Sequence, residues 1–216
     1  MEVKVVQKVM KVNDELAQSV RERLKLAGIV CINMMSAPGS GKTSLIEAAL
    51  RTGGGTPRIG VIEGDPDTTL DAERIAACNA PVVQVNTDGG CHLEANLVGR
   101  ALDDLDLKTL DLIIIENVGN LVCPVGFDLG EGKRVAVVST TEGHDKPAKY
   151  PKLFRTANLV ILNKIDLLPH VDFDVDLFRD RVQKLQPGVP ILDVSCRTGQ
   201  GVDLWCRWLQ DAVSGA

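Results

Sequence analysis

Aromatic residues are scarce in this 216-residue chain, which contains two tryptophans, one tyrosine and four phenylalanines. Because so few rings are present, the core has to be built from aliphatic side chains. Apolar residues make up 44% of the sequence, which is enough for a globular core. Long apolar runs are also missing, since none approaches the ~20 residues needed to cross a bilayer. The sequence therefore predicts a globular protein with an aliphatic core and no membrane partner.

An excess of positive charge is also missing. The chain has 24 basic and 29 acidic residues, for a formal net charge of −5. A nucleic-acid backbone is bound by a basic surface, so this balance argues against nucleic acid as a partner. No basic segment followed by an apolar stretch opens the chain, which predicts a cytoplasmic protein without a secretion signal. We expect its six cysteines to be reduced thiols in that compartment.

Apolar runs typical of buried strands alternate with segments of helical periodicity along the whole chain. Strands are predicted at 29–35, 58–64, 81–86, 110–117, 134–140, 159–164 and 190–195. Helices are predicted at 8–27, 44–51, 68–79, 92–105, 148–156, 173–186 and 202–212. Strands that alternate with helices and lack polar alternation indicate an α/β fold with a mostly parallel sheet covered on both faces. We expect one domain over 1–216, with 1–28 as an N-terminal helical extension.

A glycine-rich segment, SAPGSGKTS, lies between the first predicted strand and a helix. It ends with Gly41, Lys42 and Thr43, the last three positions of the phosphate-binding loop motif, while Ser36 replaces the motif's first glycine. Backbone N–H groups and a helix N-terminus would surround the phosphates, Lys42 would reach the β and γ oxygens, and Thr43 would bind Mg²⁺. The alternative is an ordinary strand-to-helix turn. The predicted nucleotide-binding residues are Pro38, Gly39, Ser40, Gly41, Lys42, Thr43 and Ser44.

A second segment, LVILNKID, predicts which base is bound. Its Asn163, Lys164 and Asp166 form the N-K-x-D element that reads guanine in GTPases. The Asp166 carboxylate can accept hydrogen bonds from both guanine N1–H and the exocyclic amine, whereas adenine would leave the charge unpaired. We expect Lys164 to lie along the base plane and Asn163 to join this loop to the phosphate loop. A further base-contacting element after the last strand comprises Ser195, Cys196 and Arg197.

Acidic residues end two other predicted strands. Asp65 and Asp71 follow the second strand, and Glu116 ends the strand at 110–117. Carboxylates at these positions are expected to hold Mg²⁺ or the attacking water, and we assign Lys42, Asp65, Asp71 and Glu116 to catalysis. The alternative is that the aspartates cap the helix at 68–79. No glutamine lies beside Glu116 to orient water, so hydrolysis is expected to be slow.

Cys91 and His92 are adjacent in the segment NTDGGCHLEA, although the chain has only three histidines. Together with Cys123 they offer thiolate and imidazole ligands of the kind that Ni²⁺ and Zn²⁺ prefer. Gly89 and Gly90 would let the chain turn so that two adjacent side chains reach one metal. The alternatives are buried thiols that act as small apolar groups and a histidine at a helix N-terminus.

Several segments together resemble the hydrogenase nickel-incorporation GTPases. They are SAPGSGKTSL, VIEGDPDTTLDAERI, GGCHLE, IIENVGNLVCP, TEGHDKPAKYP, NKIDLL and SCRTGQG, in that order. The resemblance implies a P-loop GTPase fold, a homodimer that depends on GTP, and a shared metal site formed by Cys91, His92 and Cys123. It implies two further partners, a small zinc-containing nickel-binding accessory protein and the hydrogenase large subunit. The opening MEVKVVQKVM has no cysteine cluster or histidine-rich tract, so we expect no separate nickel-storage site.

Three other functions stay open at this point. A urease accessory GTPase shares the nucleotide motifs, but its Cys-Pro-His metal motif is absent from this sequence. A P-loop small-molecule kinase would prefer ATP, which the segment NKID argues against. A metal-buffering protein would bind metal equally well with GDP, GTP or no nucleotide. The ligand types do not distinguish Ni²⁺ from Zn²⁺ as the resident metal.

Overall fold

The computed structural model describes residues 4–52 and 57–215, and within them one seven-stranded sheet forms the centre of the protein. The strands are β1 Val30–Ser36, β2 Ile59–Asp65, β3 Val82–Asn86, β4 Leu112–Glu116, β5 Lys133–Ser139, β6 Leu159–Asn163 and β7 Ile191–Val194. Their order is β3-β2-β4-β1-β5-β6-β7, and every pair in it is parallel. The predicted α/β class is confirmed, and the sheet is parallel throughout.

Helices cover the two faces of the sheet and bury its apolar side chains. They are α1 Lys4–Ala27, α2 Lys42–Thr52, α3 Leu70–Ala76, α4 Ala95–Ala101, α5 Lys146–Lys149, α6 Pro151–Arg155, α7 Val175–Leu185 and α8 Val202–Ser214. All five residues of β4 are buried, as expected for a central parallel strand with helices on both sides. None of the described helices combines the length and apolar character needed to cross a lipid bilayer.

Two helix predictions are wrong in extent. The single helix predicted at 148–156 is divided into α5 and α6, with Tyr150 in a non-helical conformation between them. Pro151 disfavours helical dihedrals at the preceding residue and lacks an N–H, so it starts a new helix. The helix predicted at 92–105 is limited to α4, followed by a 3₁₀ turn at Leu102–Asp104. His92 consequently lies in the loop before the helix.

The carboxyl ends of the strands bring the polar segments of the sequence to one edge of the sheet. The order reverses at β1, which lies between β4 and β5. In open parallel sheets, ligands bind beyond the carboxyl ends of the strands next to such a reversal. The phosphate loop follows β1, and Glu116 ends the neighbouring β4. The fold therefore gathers residues that are 70 or more positions apart in sequence around one crevice.

Candidate functional site

The phosphate loop is a tight backbone arc between β1 and α2. Gly39 and Gly41 both have positive φ, 73° and 99°, so side chains would be strained at these positions. Asn163 Nδ2 donates to the Ser40 carbonyl at 2.9 Å, and Lys164 Nζ donates to the Gly39 carbonyl at 2.7 Å. The predicted link from Asn163 to the phosphate loop is therefore present in the structure. Lys164 holds the same loop from its exposed side.

Lys42 and Thr43 begin α2 and face the carboxylate that ends β4. Thr43 Oγ1 donates to Glu116 Oε1 at 2.8 Å, and Lys42 Nζ lies 3.9 Å from the same oxygen. Lys42 Nζ also donates to Ser36 Oγ at 3.1 Å. Ser36, which departs from the loop motif, thus contacts the lysine that the motif supplies. The hydroxyl and carboxylate of the predicted magnesium ligands are already in direct contact.

The residues predicted to read the base surround a cavity of about 270 Å³, named here the base-side cavity. Its lining includes Ser44, Asn163, Lys164, Asp166, Cys196 and Arg197. Ser195 Oγ donates to Asp166 Oδ1 at 2.6 Å, which holds the carboxylate in one orientation. Burial raises the pKa of the Cys196 thiol to about 11, so this side chain is a neutral part of the wall. The structure thus brings together two loops, after β6 and β7, that the sequence assigned to one base.

A second cavity, of about 240 Å³, lies on the other side of the phosphate loop and is named here the phosphate-side cavity. Its lining includes Lys42, Glu63, Asp65, Asp71, Glu116 and Gly119. Asp71 is held by Arg74 Nη1 at 2.9 Å, whereas Asp65 Oδ1 accepts from the backbone N–H groups of Asp67 and Thr68. Asp65 therefore shapes the loop before α3, while Asp71 belongs to the carboxylate group at the cavity.

Glu63 is the one member of this carboxylate group that the sequence analysis did not single out. It pairs directly with Glu116 in the register of β2 and β4, and ligand oxygens of Glu63, Asp71 and Glu116 lie within 4.8 Å of one another. Glu63 Oε2 and Glu116 Oε2 are buried and have no hydrogen-bond partner among the described residues. Unpaired buried carboxylate oxygens are costly, and a hard divalent cation such as Mg²⁺ would satisfy them. A charged residue inside an otherwise apolar strand was the available signal.

Burial, and then the neighbouring charge of Glu116, raises the pKa of Glu63 from 4.5 to about 8. The folded chain therefore keeps a proton that the unfolded chain releases near pH 4.5. Between these two values, the free energy of unfolding of metal-free and nucleotide-free protein should fall as the pH rises. Urea unfolding in EDTA from pH 5 to 8 measures this slope.

The substitution Glu63→Gln should flatten that slope, since glutamine does not titrate. Glu15→Gln on the exposed face of α1 serves as the matched control and should leave the slope unchanged. A slope that is the same in wild type and Glu63→Gln contradicts the prediction.

The three predicted metal ligands lie together at the same end of the protein. Ligand atoms of Cys91, His92 and Cys123 are all within 4.8 Å of one another, and Cys91 Sγ is 3.5 Å from His92 Nδ1. The His92 ring stacks on Phe127 with centroids 3.8 Å apart, which fixes its plane. Burial lowers the pKa of His92, against the opposing effect of Glu94, and so favours the neutral imidazole that binds metals. The donor set fits a borderline-soft cation.

The turn before Cys91 has the backbone that the glycines were expected to permit. Asp88 and Gly89 have positive φ, 49° and 81°, and Gly90 packs so closely that a Cβ would lie 2.9 Å from the Thr87 carbonyl oxygen. Gly90 N donates to that carbonyl at 2.8 Å. This tight turn lets the adjacent Cys91 and His92 side chains approach the same point.

Comparisons with known proteins agree with this arrangement. Residues 30–193 match the family described as "CobW/HypB/UreG, nucleotide-binding domain". The chain is 46% identical over 208 residues to the hydrogenase maturation factor HypB of Azotobacter chroococcum mcd 1, covering 96% of this chain and 68% of that protein. The chain belongs to the HypB family.

Solved structures of HypB proteins share the whole architecture. The crystal structure of HypB from Helicobacter pylori in complex with nickel has a TM-score of 0.90 at 35% identity, covering 94% of this chain and 95% of that one. HypB from Archaeoglobus fulgidus has a TM-score of 0.87 at 38% identity, covering 94% and 99%. The P-loop GTPase fold expected from the sequence is confirmed by these HypB neighbours, and the family is one of hydrogenase maturation factors.

Proposed function

We propose that this HypB family member is a metallochaperone that binds GTP, hydrolyses it slowly, and couples its nucleotide state to the binding of nickel. The recipient would be a [NiFe]-hydrogenase, reached with a small zinc-containing nickel-binding accessory protein and the hydrogenase large subunit. Zn²⁺ is a second metal that the same ligands suit. We propose a cytoplasmic location, in keeping with the expected reduced state of the thiols. We also propose a single functional domain.

Guanine specificity is supported by the polar group that Asp166 presents to the base-side cavity. The Ser195 hydroxyl fixes this carboxylate, and Asn163 joins its loop to the phosphate loop. The base would therefore be read by a carboxylate positioned before binding, and the phosphates would be held by Lys42 and the backbone N–H groups of the loop. Preorganised donors of this kind stabilise phosphate charge without further rearrangement.

Magnesium would be held by Thr43 and Glu116, and Asp65, Asp71 and Glu63 line the same cavity. When bound, Mg²⁺ neutralises charge on the β and γ phosphates. The chain's own residues orient the nucleotide: Lys42 faces the phosphates, and Glu116 holds the Thr43 hydroxyl at 2.8 Å. Slow hydrolysis is proposed because no glutamine lies next to Glu116.

The observation that carries the coupling is the short path from Glu116 to Cys123. Glu116 ends β4 at the phosphate-side cavity, and Gly119 packs so tightly on the phosphate loop that a Cβ would lie 2.9 Å from Pro38 Cα. Asn120 Oδ1 then accepts from Cys123 N at 3.1 Å. A movement of this segment with the γ-phosphate would move a metal ligand directly.

Nickel titration of the wild-type chain, saturated either with GDP or with a non-hydrolysable GTP analogue, tests this proposal. We expect the two Kd values for Ni²⁺ to differ at least about tenfold, which corresponds to ~1.4 kcal/mol of coupling. Equal values in GDP, GTP analogue and nucleotide-free protein would instead identify a metal-buffering protein.

Dimerisation is expected because three ligands from one chain leave a metal coordination sphere incomplete. A second copy related by a two-fold axis could supply its own thiols to the same site. Sedimentation velocity should show twice the monomer mass with GTP analogue and Ni²⁺, and the monomer with GDP and chelator. A monomer under all of these conditions would contradict a shared metal site.

A further inference from the structure

Asn117 occupies a buried position between the phosphate-side cavity and the metal ligands. It directly follows Glu116, lines the same cavity, and is fully buried. Neither the motifs nor the metal chemistry assigns it a role. Its side-chain amide is nevertheless bonded on both sides, and one of those bonds reaches the loop that carries Cys91 and His92.

The hydrogen bonds of Asn117 define the orientation of its amide. Asn117 Oδ1 accepts from Val118 N at 3.0 Å and from Leu93 N at 3.2 Å. Since both groups are backbone donors, the oxygen must face them and Nδ2 must face the other way. Nδ2 donates to Asn33 Oδ1 at 3.2 Å, and Asn33, which belongs to β1, is also fully buried. The amide is therefore locked to three different segments.

A displacement of Leu93 would also displace His92, because Leu93 directly follows His92 and is itself tightly packed. Its side chain is fully buried and rests on Gly64, where a Cβ would lie 2.8 Å from the Leu93 side chain. Gly64 lies between Glu63 and Asp65, both at the phosphate-side cavity. Leu93 is thus connected to the phosphate-side cavity in two ways. Its backbone N–H is bonded to Asn117 after β4, and its side chain packs on Gly64 of β2.

We propose that Asn117 is the positioning residue that connects the Cys91–His92 half of the metal site to the segment 117–123 after β4. This is the segment that the proposed function has moving with the γ-phosphate. This inference rests on the proposed function and adds a second connection to it. Asn120 holds Cys123 from this segment, and Asn117 holds Leu93 from the same segment. Both halves of the metal site are then attached to one stretch of chain at two different residues, so a change in the conformation of this stretch changes the distance between Cys123 and the Cys91–His92 pair.

A buried amide is suited to this task because its hydrogen bonds are costly to break. Leaving a buried donor or acceptor unpaired is costly, so the Leu93 N–H stays bonded to Asn117 when this residue moves. Close-packed interiors respond to such displacements by shifting between discrete arrangements.

A second buried asparagine supplies the matched control. Asn13 on α1 accepts from Ala95 N at 3.0 Å through Oδ1, and its Nδ2 donates to the Asp128 carbonyl at 2.8 Å. It therefore anchors the same loop, two residues beyond Leu93, by the same chemistry. Its partner Asp128 lies further along the β4–β5 connection, beyond Cys123 and outside the stretch 117–123 that holds both halves of the metal site. Loss of this anchor weakens the loop without touching the proposed connection.

The experiment compares Ni²⁺ titrations of wild type, Asn117→Ala and Asn13→Ala, each saturated with GDP or with the GTP analogue. In Asn117→Ala, the ratio of the two Kd values should fall from at least about tenfold to within about threefold. In Asn13→Ala, the ratio should stay as in wild type. A wild-type ratio in folded Asn117→Ala overturns the inference while leaving the proposed function intact. A ratio of one in wild type overturns the proposed function first.

Asn117→Ser provides a variant with a milder effect on folding, because a hydroxyl can still bond the adjacent Val118 N but is too short to reach Leu93 N. In Asn117→Ser, the ratio of the two Kd values for Ni²⁺ should fall to within about threefold, as in Asn117→Ala.

A measurement on the wild-type protein needs no substitution. The backbone amide NMR signal of Leu93, in metal-free protein, should shift between GDP and GTP analogue more than that of Ala95, because Leu93 stays bonded to Asn117 and moves with it. Equal Leu93 shifts in the two states overturn the inference.

Discussion

The substitution Asp166→Asn should lower the affinity for GDP at least about 100-fold and raise the affinity for xanthosine diphosphate. In the proposed complex, the wild-type carboxylate would accept from guanine N1–H and the exocyclic amine. An asparagine offers one acceptor and one donor, so the donor would face the guanine amine, whereas xanthine presents a carbonyl oxygen there. Sites that read a base by buried polar pairs discriminate by this much when one pair is mismatched.

The structure predicts which way the new amide will point. Ser195 Oγ donates to Asp166 Oδ1 at 2.6 Å, and it should continue to donate to the carbonyl oxygen of asparagine. The amide nitrogen is then left for the base. Displacement of a fluorescent guanine nucleotide by GDP, ADP and xanthosine diphosphate measures the change.

Asp180→Asn, on the exposed face of α7, is the control with the same change of charge, and it should retain the preference for GDP. If Asp166→Asn keeps that preference too, base reading does not depend on this carboxylate. Tighter binding of ADP than of GDP by wild type would revive the small-molecule kinase.

The sequence was most informative where the function is carried by contiguous residues. The phosphate loop and the N-K-x-D segment are local motifs, so their chemistry could be stated before their positions were known. Glu63 could not be found in this way, because it lies within an apolar strand and its role depends on pairing with Glu116 in the β2–β4 register. Register is a property of the assembled sheet, so the charge inside the strand could mark Glu63 as unusual but could not reveal its partner.

The same limit explains the loop that holds Cys91 and His92, two of the predicted metal ligands. Periodicity over 92–105 predicted one helix, but α4 starts only at Ala95, so His92 is free of helical constraints. The Leu93 N–H, which would have no intrahelical partner so near the start of a helix, is bonded instead to Asn117, 24 residues away. Apolar spacing does not reveal a backbone donor whose partner is a distant side chain.

The substitution Cys123→Ala should lower the affinity for Ni²⁺ at least about 100-fold and remove its dependence on the nucleotide. Cys123 is one of the three proposed ligands, and its loss should exceed the 10- to 100-fold effect typical of residues that only support a ligand. The hydrogen bond with Cys91, and then burial, raises the pKa of Cys123, so the metal-free site holds neutral thiol here. Metal binding must therefore release a proton, and the affinity should increase with pH.

Cys78→Ala is the matched control, because Cys78 is another half-buried thiol. Its Sγ donates to the Arg74 carbonyl and lies outside the predicted metal site. Titrations of both variants with Ni²⁺, in GDP and in GTP analogue, separate two roles of Cys123. If affinity falls but the nucleotide ratio persists, the coupling runs through Asn117 and the Cys91–His92 half alone. If Cys123→Ala and wild type give identical curves in both nucleotides, Cys123 is neither a ligand nor part of the coupling.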